Sequence, residues 1–402
     1  MKQVLIIEEQ IKQYRLPFYH LLVSELRNVD IDLRVGYSDP RPVEGSKKDT
    51  CDLPVDYGMK VKGYRPLQEK LLLQPLFRAA MTADLVVIDQ GNRFLLNHFL
   101  LPLSRARLRR VAFWGAGWNR QQSHRRLSEW YRRKTLNWVS WWFAYTKGTA
   151  RYLMANGVPE SRITAVDNAV DTSEIREHVR GISADERCDL RRRLGIPSSA
   201  PVGIFCGMLG KIKGLPFLIE SAKMIRARVP NFHLILVGGG PEQSSVDSAV
   251  QGVPWIHLTG PRFAKEKAAL FAISDAFLLP GAVGLAILDA FAGGLPLMST
   301  RLEIHGPEME YLEEGINGLM SEPTVPAFAE MVTCLFSDRD ALRKLQAGAR
   351  DSGTKYTIEN MVANFGEGIQ SCIASSAPLS ASCRLDEKES IRQARGSDTA
   401  KT

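Results

Sequence analysis

The sequence predicts two α/β domains in tandem, each an open, Rossmann-like parallel sheet covered by helices. Three observations carry this. Short apolar runs alternate with helix-length runs along most of the chain, the pattern of parallel strands joined by right-handed crossovers. That alternation breaks once, near residues 170–195, and then starts afresh. Finally, 402 residues exceed one ordinary core, and 45% hydrophobic with 24% charged residues is a globular composition.

In the first series, the apolar run Val4–Ile7 reads as a strand, and Pro17–Leu26, with proline at its first turn, as a helix. Ile31–Val35 is the next strand, then Leu67–Ala80 a helix, then Leu85–Ile88 a strand ending in Asp89-Gln90-Gly91-Asn92. Val111–Trp114 is a strand closed by Gly115-Ala116-Gly117, and Glu129–Val139 is helical. The charged stretch Glu174 to Arg193 separates the two series. In the second, strands are expected at Val202–Cys206, His233–Val237, Ala276–Leu279 and Leu295–Ser299, with Trp255–Leu258 extended. Helices are expected at Pro216–Arg228, Lys265–Ile273 and Leu285–Ala292. The resulting division is an N-terminal domain over 1–170 and a C-terminal domain over 171–355. A terminal helix over 356–374 is expected to return toward the first domain. Ser, Ala and mixed charges dominate residues 375–402, which cannot offset their ordering entropy and are expected to be disordered.

Composition narrows the function classes. The six cysteines show no Cys-x-x-Cys pair and no zinc spacing, so thiols in a reducing cytosol are expected. Acid follows the first apolar run after four residues, too early for a signal peptide, and no run of roughly twenty apolar residues occurs. A cytoplasmic chain is expected, soluble or lying on a membrane's inner face. The net charge of +8 calls for an anionic partner. Much of it lies in Arg105, Arg107, Arg109, Arg110, Arg120, Arg125, Arg126, Arg132, Arg133 and Lys134, against Glu129 alone. Trp130, Tyr131, Trp138, Trp141, Trp142 and Phe143 are interleaved or follow. Cationic tips with indoles suit a bilayer interface; a solvated arginine face over inward-packed tryptophans fits equally well. No RNA-binding or zinc signature accompanies them, so nucleic acid is not expected.

Two glycine-rich turns concentrate the chemistry. Cys206-Gly207-Met208-Leu209-Gly210-Lys211-Ile212-Lys213-Gly214 ends a strand, presents two lysines and opens a helix at Pro216. Backbone N–H groups and ammonium charges there suit a diphosphate, although a surface loop with two solvated lysines is the simpler reading of this segment alone. The second turn, Pro280-Gly281-Ala282-Val283-Gly284, leads from strand to apolar helix. Asp289 is the one charge in that helix, and a buried carboxylate needs a donor, either a ribose diol or a neighbouring group of the chain. His305 lies in a loop on the cleft side, as a donor-site candidate or a loop brace. Two open sheets facing one another would make a cleft with a site on both walls.

These turns, their order and their flanks resemble the family-4 retaining glycosyltransferases of the GT-B fold, in the type that assembles bacterial polysaccharides. Gln13-Tyr14-Arg15-Leu16-Pro17-Phe18-Tyr19 resembles an N-terminal segment found in a subset of that family, and Asp167-Asn168-Ala169-Val170-Asp171 its interdomain hinge. Gly207 to Gly214 resembles its phosphate loop, Val237-Gly238-Gly239-Gly240-Pro241 its Val-Gly-Asp-Gly-Pro turn. Gly281–Asp289, with Glu310 to Gly318, matches the region of its paired glutamates and following loop. The resemblance spans about residues 1–370. It implies a nucleoside-diphosphate sugar bound by the second domain, with Lys213, and at a different reach Lys211, as the cations that activate the leaving diphosphate. Gly210, Gly281 and Gly284 would line the donor, Asp289 would hold the ribose, and Glu310 would be a loop glutamate that binds substrate or braces. Arg15, Trp114 and Ala116 would face the cleft from the first domain. Neither a cofactor nor a metal is implied. Three positions depart from the pattern: Met208 replaces an arginine, Gly281 a glutamate and Ala116 a histidine.

The expected function is therefore a retaining, metal-independent hexosyl-type transfer from a nucleotide sugar to a polyprenyl-linked or glycolipid acceptor, in lipopolysaccharide or exopolysaccharide synthesis. The rivals are a sugar-nucleotide epimerase or hydrolase on the same fold, and a catalytically degenerate partner subunit.

Overall fold

The computed structural model describes residues 1–41, 49–118 and 126–375. Arg120, Arg125 and the expected disordered tail lie outside the described residues. The N-terminal sheet comprises β1 Lys2–Ile7, β2 Ile31–Ser38, β3 Gly58–Val61, β4 Leu85–Asp89, β5 Val111–Gly115, β6 Trp141–Ala144 and β7 Ile163–Ala165. The C-terminal sheet comprises β8 Val202–Cys206, β9 His233–Val237, β10 Ile256–Gly260, β11 Ala276–Leu278, β12 Leu297–Thr300 and β13 Gly318–Ser321. Spatial order is β3-β2-β1-β4-β5-β6-β7 in the first and β10-β9-β8-β11-β12-β13 in the second. Every pairing is parallel. Strand order reverses between β1 and β4, and again between β8 and β11, which opens a crevice at the carboxyl ends of those strands.

Central strands are apolar on both faces because helices cover both sides. Val86, Val87, Ala112, Phe143, Ile204, Leu234 and Phe277 are all fully buried. Trp142 and Phe143 belong to this set, and Trp141 is nearly as inaccessible. The aromatic half of the basic, aromatic stretch is thus largely the core strand β6, with Trp130 left exposed and Arg105 stacked 4.8 Å over Trp138. That corrects the bilayer reading for Trp141, Trp142 and Phe143.

One further expectation changes. Only Phe77–Thr82 of the span 67–80 is helical. Leu67, Gln68 and Glu69 have φ of 55°, 55° and 63°, left-handed values that cannot continue a right-handed helix. The charged stretch that separates the two series forms two helices, Ser173–Gly181 and Ala184–Arg193. The second starts on a reciprocal cap between Ser183 and Glu186, which explains why so polar a segment is ordered.

The last described helix, Ile358–Ala374, lies on the first domain against Leu16–Arg27. Phe365 stacks on Phe143 at 4.1 Å and meets Phe18 and Trp114 edge-on at 5.4 and 5.1 Å. No helix among the described residues is long and apolar enough to cross a membrane.

Candidate active site between two sheets

The two glycine-rich turns meet. The Ala282 N–H donates to the Ile212 carbonyl at 2.7 Å, and Lys213 Nζ donates to the Ala282 carbonyl at 2.6 Å. A Cβ on Gly281 would overlap the Lys213 backbone and the Ile212 oxygen, so only glycine fits this close approach. Lys213 is half-buried, and desolvation pushes its ammonium pKa down. Among the described residues no carboxylate pairs with it. Lys211 and Met208, by contrast, are exposed. Gly210 is buried and accepts the Lys213 N–H at 2.9 Å, while a Cβ on Gly284 would meet open space.

The rest of the second turn is locked from behind. His305 is buried; its Nδ1 accepts the Val283 N–H at 3.0 Å and its Nε2 donates to the Thr300 carbonyl at 2.7 Å. That pairing sets a neutral ring braced inside the loop. Asp289 receives Lys267 Nζ at 3.1 Å, so the chain itself supplies the donor that this carboxylate needs. The carboxylate also adds to the burial that pushes the nearby Cys206 thiol up to about 12. Asp289 therefore stands beside the end of β8, where the first glycine turn begins.

Glu310 reaches across to the first domain. Both carboxylate oxygens accept the Gly148 N–H at 2.7 Å, and Thr146 Oγ1 donates at 3.0 Å. A carboxylate on the first turn of the helix Lys147–Ala155 meets the positive end of its dipole. Arg15 is buried in the hinge, with a nitrogen 2.8 Å from Asn168 Oδ1 and its guanidinium 5.0 Å from the Trp114 ring centre. Asn168 Nδ2 donates to Glu308 at 2.6 Å, and Tyr311 donates to the Asn168 carbonyl at 3.1 Å. Ala116 is half-buried in the loop after β5.

The structure thus gathers Lys213, Gly281, Gly284 and His305 at one crevice, pairs Arg15 with Trp114 at the hinge, and uses Glu310 as a strap between domains. Sequence reasoning passed over Glu8 and Asp89, which line a small cavity at the ends of β1 and β4 with Trp114 and Tyr145. The available signal was positional: each acid is the first or last residue at the carboxyl end of a strand beside the order reversal.

Residues 200–338 match the family described as Glycosyl transferases group 1. The chain is 30% identical over 184 residues to a D-inositol 3-phosphate glycosyltransferase of Corynebacterium urealyticum, covering 42% of this chain and 43% of that protein. It is 29% identical over 168 residues to the lipopolysaccharide core biosynthesis glycosyltransferase LpsE of Rhizobium meliloti, covering 39% and 45% respectively. The chain therefore spans less than half the length of these two relatives. The whole architecture matches the crystal structure of Anabaena Alr3699/HepE in complex with UDP, with TM-score 0.66 at 16% identity over 92% of this chain and all of that one. The fold of the described chain is GT-B, two Rossmann-like parallel-sheet domains.

Proposed function

We propose that the protein transfers a glycosyl group from a nucleoside-diphosphate sugar to a hydroxyl of a glycan or lipid-linked acceptor, with retention and without a metal. The observation that carries this is Lys213. It is a partly desolvated cation held only 2.6 Å from a backbone carbonyl, where the two glycine turns converge at a strand-order reversal. A diphosphate arriving there would exchange that carbonyl for charge-assisted contacts, and Lys213 would neutralise the charge that develops as the sugar departs. In the step itself, the acceptor oxygen bonds to the anomeric carbon as the bond to the diphosphate oxygen breaks. The diphosphate keeps the electron pair and takes the hydroxyl proton. Asp289, one turn along, would hold the ribose once Lys267 gives way, and Gly284 leaves open space for the donor.

We place the acceptor on the first domain and the reaction in cell-surface polysaccharide or glycolipid assembly at the cytoplasmic face of a membrane. Exposed Leu108 and Trp130 among exposed Arg105 and Arg107 support a peripheral contact there. A hydrolase or epimerase is the second reading, favoured by the Glu8 and Asp89 carboxylates on the cleft wall. A degenerate partner subunit draws on Met208 and on the absence of room for any side chain at Gly281.

The test is a panel of uridine, guanosine and adenosine diphosphate sugars incubated with purified protein. Binding with slow release of nucleoside diphosphate is expected, weakened roughly ten- to a hundredfold in Lys213→Ala, the loss of one charge-assisted hydrogen bond. Binding indifferent to that substitution would remove Lys213 from the site. Rapid formation of free or epimerised sugar without acceptor would select the second reading, and no binding at all the third.

A further inference from the structure

The first domain holds a feature that nucleotide binding leaves unused. At the order reversal of its sheet, Glu8 follows β1, Asp89 ends β4, Trp114 belongs to β5, and Tyr145 follows β6. The four line a cavity of about 20 Å³, room for one water or one hydroxyl group. It lies at the carboxyl ends of β1, β4, β5 and β6, and Gly148, three residues past Tyr145, meets Glu310 of the second domain. Trp114 is only 5% exposed, and its indole N–H, a donor with no acceptor role, has no partner among the described residues. A buried donor left so is uncommon in a native fold and points to a missing acceptor.

We infer that this cavity seats a neutral hydroxyl of the acceptor, which receives the Trp114 N–H and donates to the Glu8 or Asp89 carboxylate. The chemistry selects that class. A hydroxyl both accepts and donates, as the orphaned N–H and the paired acids require, whereas a phosphate or carboxylate would face two acids. The acceptor therefore presents an uncharged hydroxyl at this point, as a hexopyranose ring can. This rests on the transferase reading and adds the acceptor's chemical class to it.

The charged surroundings agree. Burial and then Asp89 raise the Glu8 pKa to about 7, against Arg15, and the Tyr19 hydroxyl donates to Glu8 at 2.9 Å. Glu9 adds a smaller upward push. Asp89 is raised to about 6 by desolvation and, to a lesser degree, by Glu9, against Arg132. Tyr145 stays protonated throughout, since burial raises it further. The ionised, hydrogen-bond-accepting form of Glu8 thus fills as pH rises through neutrality.

The experiment uses methyl α-D-glucopyranoside and methyl α-D-mannopyranoside as probes, titrated by saturation-transfer NMR into the full chain with UDP present, between pH 5.5 and 8. Saturable binding that strengthens with pH is expected. Glu8→Gln should weaken it at least tenfold and flatten its pH dependence, and Asp89→Asn and Trp114→Phe should weaken it likewise. Melting curves verify folding, and Asp89→Asn, at an exposed position, carries the test if Glu8→Gln unfolds. Glycosides that bind all variants as they bind the wild type, or that do not bind at all, would overturn the assignment. Calorimetry of UDP alone reads the transferase proposal separately: a protein that binds glycosides through Glu8 but no nucleotide loses that proposal and keeps this cavity.

Discussion

Gly281 occupies a place where two loops press together, and its lack of a side chain keeps the Ile212 carbonyl and the Ala282 N–H in register. Gly281→Ala forces those backbones apart. An overpacking cost of about 1–3 kcal/mol is expected, read as a lowered midpoint in urea unfolding. The same loop explains why His305 was ambiguous in sequence: its loop position was legible, but its two backbone partners, 17 residues apart in the chain at Val283 and Thr300, were not. Glu8 makes a pH prediction at this scale. A free glutamate titrates near 4.5 and the folded Glu8 near 7, so the folded state keeps a proton that the unfolded chain releases. The stability this supplies is complete below about 4.5 and is lost as pH rises through about 7. Glu8→Gln removes that loss, so its melting temperature relative to wild type should be higher at pH 8 than at pH 5. An offset equal at both pH values would contradict the raised pKa.

Among the elements, the central strands were the most readable and the edges the least. Val4–Ile7, Val202–Cys206 and His233–Val237 are continuous apolar runs because both faces are covered, and such runs announce themselves. The edge strands Gly58–Val61 and Ile163–Ala165 are short and half-exposed, so their residues carry no comparable pattern. β6 stayed open for another reason: a run of Trp141, Trp142 and Phe143 behind ten basic residues looks alike at a bilayer interface and in a core. Only pairing with β5 and β7 separates the two. The terminal helix has a definite anchor in Phe365, wedged among Phe18, Trp114 and Phe143. Phe365→Ala should cost about 3–5 kcal/mol and expose the helix to limited proteolysis near residue 356. A variant as resistant as the wild type would show that the helix is held elsewhere.

Over the whole molecule, two walls are joined by a small set of polar contacts. Arg15, Asn168, Glu308 and Tyr311 bind the hinge, and Glu310 ties the second domain to the helix starting at Lys147. The sequence motif around Glu310 pointed to a loop glutamate, but its partner Gly148 lies 162 residues away and left no mark in the sequence. The donor-side turns were legible because close backbone approach demands glycine. The acceptor-side cavity was not, since single acids at strand ends look like any strand terminus until the sheet order brings Glu8 and Asp89 together. The proposed function needs both walls, with a diphosphate seat on one and a hydroxyl pocket on the other. Isothermal titration of UDP, GDP and ADP into the full chain, side by side with Lys213→Ala, tests the seat most directly. At least one nucleotide should bind saturably and lose tenfold or more of its affinity in the variant. Equal affinity for both proteins, or no heat from any of the three, would contradict it.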